Sequence, residues 1–248
     1  MIKKEVEKIL QYVQKPARYV GGELNSVIKD PDKVDIRYAF CFPDIYEIGM
    51  SHLGMKILYG LVNNREDSWC ERVFAPDVDM EEQMRKNNVP LFALESGDYI
   101  KDFDIIGFTL MYELCYTNVL NMLDLAGIPL YSKDRTELAP IICVGGPCAC
   151  NPEPIADFVD IVFLGDGEDS TNAVLDLLKE CKKCGATKQE FLLKAKDITG
   201  VYVPSFYKDS YNADGTLKEL VPINGAPEKV KKSVVSDMNK CYYPKEFV

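Results

Sequence analysis

The chain has 248 residues, 47% of them hydrophobic, which suffices for one large domain or a medium one with appendages. Its net charge of −10 gathers in the middle, because lysines and arginines outnumber acids in both end segments, 1–30 and 228–248. Such a field repels phosphate backbones and argues against nucleic-acid binding by the central part. No stretch approaches the roughly 20 apolar residues of a spanning helix. The start, MIKKEVEKIL, lacks the apolar run and cleavage site of a secretory signal, so the chain reads as cytoplasmic with no membrane partner. Nine cysteines in such a chain are expected to be reduced thiols or ligands rather than a disulfide framework.

Residues 3–13 have the spacing of a short amphipathic helix that Pro16 ends, followed by a turn at Gly21-Gly22. From Ile36 short apolar runs alternate with helical stretches. Strands are expected over 36–42, 73–75, 91–94, 104–110, 141–144 and 161–164. Helices are expected over 51–63, 80–87, 118–126 and 170–179. This alternation predicts an α/β fold, a doubly wound, mostly parallel sheet of the Rossmann or flavodoxin type, with an N-terminal helical arm and a C-terminal β-hairpin appendage. The hairpin is expected over 199–222, turning at Asn212-Ala213-Asp214-Gly215. The divisions read as an arm over 1–35, the α/β domain over 36–184, a linker and hairpin over 185–227, and a lead into something further over 228–248.

Ligands of such sheets sit beyond the carboxyl ends of the strands, where three loops stand out. The first strand runs into Asp44-Ile45-Tyr46-Glu47-Ile48-Gly49, with the spacing Asp-x-Tyr-x-x-Gly. Asp44 can equally cap the next helix, with Gly49 easing close backbone approach. Gly107-Phe108-Thr109-Leu110-Met111 ends the central strand, where Thr109 is either a ligand contact or a buried threonine bonded to backbone. Val144-Gly145-Gly146-Pro147 ends the next, and its glycine pair either admits a bulky ligand or makes a tight turn. His52, the single histidine, belongs to the first turn of a helix, facing either ligand or solvent. Cys181-x-x-Cys184 supplies only two ligands, whereas a structural zinc site takes four. Cys148 and Cys150 lie beyond the glycine pair, and Cys115 either lines a site or is a small buried hydrophobe. No metal ligand set is read from these. There is no Gly-x-Ser-x-Gly elbow, no phosphate-binding Gly-x-x-x-x-Gly-Lys-Ser/Thr loop and no Gly-x-Gly-x-x-Gly.

The series Gly145-Gly146-Pro147, Asn151-Pro152-Glu153-Pro154, Asp157-Phe158-Val159-Asp160 and Gly165-Asp166-Gly167-Glu168 resembles that of cobalamin-binding radical S-adenosylmethionine (radical SAM) proteins. With Lys15-Pro16-Ala17-Arg18-Tyr19-Val20-Gly21-Gly22-Glu23 and Pro43–Ser51, it looks like the amino-terminal half of an uncharacterised bacterial branch of that family. The resemblance implies cobalamin as cofactor, with Asp44, Tyr46, Gly49, Thr109, Leu110, Gly145 and Gly146 around its tail and cobalt. Tyr46 stands where relatives carry a cobalt-binding histidine. It also implies a following radical SAM barrel as partner in the same polypeptide, holding a [4Fe–4S] cluster and S-adenosylmethionine. The nine cysteines nowhere show the Cys-x-x-x-Cys-x-x-Cys loop of that cluster, so no catalytic residue is assigned and the chain is expected to stop before it. Two other readings stay open: a degenerate domain that docks the barrel without cobalamin, and a free-standing flavodoxin-like binder of another ligand. A slot above Gly145-Gly146 filled by Phe42, Tyr112 or Tyr116 would speak against cobalamin.

Overall fold

The computed structural model describes residues 3–248; Met1 and Ile2, which belong to the expected arm, lie outside them. Helix α1 (Lys4–Leu10) leads to an arm without regular strands, and β1 (Ile36–Phe42) then enters the sheet. The order continues α2 (Tyr46–Met50), α3 (Leu53–Asn63), β2 (Ser68–Phe74), α4 (Val78–Asn87), β3 (Ile105–Thr109), α5 (Tyr116–Leu125), β4 (Ile141–Gly145) and β5 (Ile161–Phe163). After these come α6 (Gly167–Cys184), α7 (Lys188–Ala195), β6 (Val201–Tyr202) and a hairpin of β7 (Tyr207–Tyr211) and β8 (Leu217–Pro222).

The six-stranded sheet has the order β2-β1-β3-β4-β5-β6, parallel except for β6. The mixed α/β, doubly wound architecture expected from the alternation is the one observed, with the first five strands in flavodoxin-like order. Period-two alternation divides each strand between two cores. Ala39, Cys41, Ile106, Phe108, Ile142 and Val144 pack with residues of α1, α4 and α5. Tyr38, Phe40, Ile105, Ile141, Cys143 and Phe163 pack with residues of α3, α6 and α7. Burial on both faces explains why these strands read as unbroken apolar runs.

Three expectations are corrected. Residues 91–94 form no strand; they run along the outer edge of β2, where Leu94 N–H donates to the Arg72 carbonyl and a lone bridge joins Phe92 to Tyr99. Polar side chains complete that edge, because the Arg72 and Ser96 N–H groups donate to the carboxylates of Glu95 and Glu71 at 2.7 and 2.9 Å. An edge closed by carboxylates offers no row of free donors to another chain. The hairpin starts later than expected, since Val201–Tyr202 pairs antiparallel with β5. Helix α7 was not foreseen, although Thr187 and Glu190 form a reciprocal capping box readable as Thr-x-x-Glu.

The arm is held by a buried charge network. Arg72 donates through Nε to Glu95 Oε1 at 2.6 Å and through Nη2 to Glu23 Oε2 at 2.7 Å and Ser26 Oγ at 3.1 Å. The side chains of Arg72 and Glu95 are 1% and 0% exposed. Removing one partner of a buried pair leaves an uncompensated charge, so Arg72→Met is expected to destabilise the fold by about 3–5 kcal/mol. Urea unfolding measures this; a loss below about 1 kcal/mol would show that the network does not hold the arm.

Candidate functional site

Two loops flank the point where the connections turn to opposite sides of the sheet, one after β1 and one after β3, and ligands of such folds settle there. Beside it a cavity of about 280 Å³ opens between the sheet and helices α3 and α6. Its origin is the run of small residues on one face of the two central strands. Gly107 pairs with Cys143 and Thr109 with Gly145 in the β3–β4 ladder, and none of the four projects a large side chain toward the helices. Tyr38, Phe40 and Phe163 supply aromatic walls, Ile57 and Leu58 of α3 and Thr171 of α6 lie opposite, and Met111, Gly146, Pro147, His52, Asp166 and Glu168 are among the other lining residues.

Glycine is demanded at two of these places. A Cβ on Gly107 would lie 2.0 Å from Tyr38 Oη, so the tyrosine occupies the volume that residue 107 gives up. Gly146 has φ +97°, and a Cβ there would approach the Leu110 carbonyl to 2.9 Å. Leu110 pins this turn, donating its N–H to Gly145 O at 2.7 Å and accepting from Cys148 N–H at 3.0 Å. Gly145 differs, since its added Cβ would meet only ordinary contact, 3.5 Å from Phe163 Cβ, leaving the space above it open. None of Phe42, Tyr112 and Tyr116 lines the cavity.

Of the residues singled out from sequence, Thr109, Gly145 and Gly146 meet at the cavity. The other four lie apart from its lining. Asp44 accepts a hydrogen bond from the Tyr112 hydroxyl, a bridge between the loops after β1 and β3, and one from Ile45 N–H at 2.7 Å. That contact and burial push the Tyr112 phenol up to about 12. Tyr46 turns toward the arm: its hydroxyl donates to Glu23 Oε1 at 2.7 Å and its ring stands edge-on to Phe74, centroids 5.3 Å apart. Burial first, then the Glu23 carboxylate, push this phenol up to about 12, so it is neutral at pH 7. Gly49 serves packing, since a Cβ there would sit 2.2 Å from the Phe74 ring. Leu110 is fully buried and acts through its backbone.

His52 does reach the cavity, as N-cap of α3 rather than as a member of its first turn. Its Nδ1 accepts from Met55 N–H at 3.1 Å, and Phe42 packs on the ring at 5.4 Å. Cys115 is buried, and Cys148 is partly exposed behind the glycine turn. Cys181 is buried and Cys184 exposed at the end of α6, and among the described residues no three His, Cys, Asp or Glu side chains converge as metal ligands. No helix among the described residues is long and apolar enough to cross a membrane. Tyr38, Cys143 and Ile57, Leu58 and Thr171 of the α3–α6 wall escaped the sequence reading, and Gly107 entered it only as part of a strand end; the pairing of Gly107 with Cys143, which needs the register, was the missing signal.

The family described as radical SAM proteins, N-terminal, matches residues 54–204, which include β2 to β6 and the lining of the cavity from α3 onward. This chain belongs to that family. An uncharacterized protein of Methanocaldococcus jannaschii is 28% identical over 174 residues, 69% of this chain and 30% of that protein. The chain therefore spans under a third of the length of this relative. Among solved structures, the cobalamin-dependent S-adenosylmethionine radical enzyme OxsB, with aqua-cobalamin and S-adenosylmethionine bound, is 16% identical with a TM-score of 0.43. That match takes in 80% of this chain and 22% of the enzyme.

Two outcomes follow from the site's geometry. Gly146→Ala is expected to destabilise the protein by about 1–3 kcal/mol through its positive φ, whereas Gly145→Ala stays within about 0.5 kcal/mol; equal losses in thermal unfolding would contradict the turn geometry. Desolvation holds the His52 imidazole below its ordinary 6.5. A base depressed in the folded state contributes stability above pH 6.5 that is lost as pH falls through the folded value, because the unfolded chain then binds more protons. NMR titration of the single histidine should give a midpoint below 6.5, and His52→Asn, which keeps a cap, should flatten the stability profile in that window.

Proposed function

We propose that this domain is the cofactor-holding module of a radical SAM protein and takes the nucleotide tail of a cobalamin into the cavity between the sheet and helices α3 and α6. The observation that carries this reading is the slot itself, opened at the ends of the two central strands by Thr109, Gly145 and Gly146. Its volume stands near the lower end of ligand pockets, about 300–1,000 Å³, which suits one arm of a large cofactor. The residues fit the tail: aromatic and aliphatic walls for a flat base, the Thr109 side chain in the lining, and glycine backbone against which a ribose phosphate can lie.

When bound, cobalamin supplies a cobalt centre able to carry a methyl group or an electron. This chain offers that centre no ligand from Tyr46, whose neutral hydroxyl is engaged by Glu23. The partner is the radical SAM domain of the same polypeptide, holding the iron–sulfur cluster and S-adenosylmethionine, in a reducing cytoplasm that suits nine free cysteines. Asp44, held by Tyr112, belongs to the loop after β1 at the switch point. The domain carries no catalytic group of its own, and its acidity disfavours nucleic acid.

A second reading, a docking domain without cofactor, draws on the same capture of Tyr46 and Asp44 by neighbours. Titration with hydroxocobalamin, followed by gel filtration and a visible spectrum of the protein fraction, separates the two. The module reading expects cobalamin to be retained, and Gly145→Leu, which fills the slot, to lower affinity at least tenfold with an unchanged circular-dichroism spectrum. Absence of retention by the unaltered chain would leave the docking role.

A further inference from the structure

The floor of the cavity is polar at one point. The Tyr38 hydroxyl lies where a Gly107 side chain would be, 2.0 Å from that Cβ position, between the sheet and the helices. The group that acts on it most closely is the Cys143 thiol of β4, on the far side of Gly107 from Tyr38's own strand. Sulfur is a weak acceptor, so a buried phenol here has a poor partner and can turn to a better one. Around it the lining is aromatic, with Phe40 stacked on Tyr38 at 5.9 Å and Phe163 also lining the cavity.

Cobamides share the corrin and differ in the base that ends the nucleotide tail. Resting on the module reading above, we infer that this slot selects a cobamide with a purine-type lower base over one with 5,6-dimethylbenzimidazole, through the Tyr38 hydroxyl at its floor. The far edge of a purine carries ring nitrogens that accept a hydrogen bond, whereas dimethylbenzimidazole presents two methyl groups there. Methyls pressed on the hydroxyl offer it no acceptor, which forfeits about one hydrogen bond relative to a ring nitrogen, roughly tenfold in affinity. Phe40 and Phe163 line the slot for either base, so the discrimination is assigned to the hydroxyl.

The test is equilibrium dialysis of the chain against adeninyl cobamide and against cobalamin, read by corrin absorbance. The expected result is about tenfold tighter binding of the adeninyl form, and loss of that preference in Tyr38→Phe, which keeps the ring and removes the hydroxyl. Equal or tighter binding of cobalamin by the unaltered chain overturns the inference while leaving the module reading intact. So does a preference that survives in Tyr38→Phe. Retention of neither cobamide overturns both. Equal or tighter cobalamin binding by the unaltered chain overturns the inference whether or not the variant folds.

Discussion

Strands β1, β3 and β4 each have a parallel neighbour on both sides and a helical layer on both faces, so a side chain there can go only into the packing. Under that constraint a glycine or threonine is a statement about volume. On an exposed strand it would be smoothed over by water, but inside two covered faces the missing atoms must be replaced or a space remains. The two outcomes stand side by side on one face. At Gly107 the volume is taken by Tyr38, and above Thr109 and Gly145 it is not. The position of the cavity thus follows from where the small residues fall in the register.

The second constraint is electrostatic and acts from the arm. Arg72, Glu95 and Glu23 form a chain of charge-assisted hydrogen bonds that reaches the Tyr46 hydroxyl, tying the arm, the edge strand and the start of α2 into one unit. Arg18 extends this on the other side, donating to Glu47 of α2 at 3.0 Å and pairing with Asp77 before α4. Paired ions taken out of water fix geometry more than they stabilise, and here the fixed geometry turns Tyr46 from the crevice. The loop after β1 serves two faces at once, its Asp44 end bridged to β3's loop and its tyrosine held by the arm.

What the sequence made legible was local. Alternation located β1, β3, β4 and β5 but only the end of β2, and the glycine pair marked a strand end that does line a cavity. The rest depends on partners distant along the chain. Residues 91–94 have strand-like composition but serve as cover for an edge, because their neighbour is Arg72 rather than another strand. Glu23 captures Tyr46 from 23 residues away, and Tyr112 meets Asp44 from 68. Gly49 carried the right spacing for a ligand motif and proved to answer to the Phe74 ring. A spacing pattern specifies which residues could meet a ligand, and tertiary contacts decide which are already taken.

The arm's attachment carries its own optical reporter. The single tryptophan, Trp69 on edge strand β2, is 2% exposed, donates its indole N–H to the Val27 carbonyl of the arm at 2.9 Å, and has the Arg37 guanidinium 5.2 Å from its ring. An indole in this setting changes its emission when its hydrogen bond and its cover are withdrawn. Fluorescence of the unlabelled protein therefore follows one event, the lifting of the arm from β2. The cofactor slot, lined by β1, β3, β4 and β5 instead, contributes no indole to that signal.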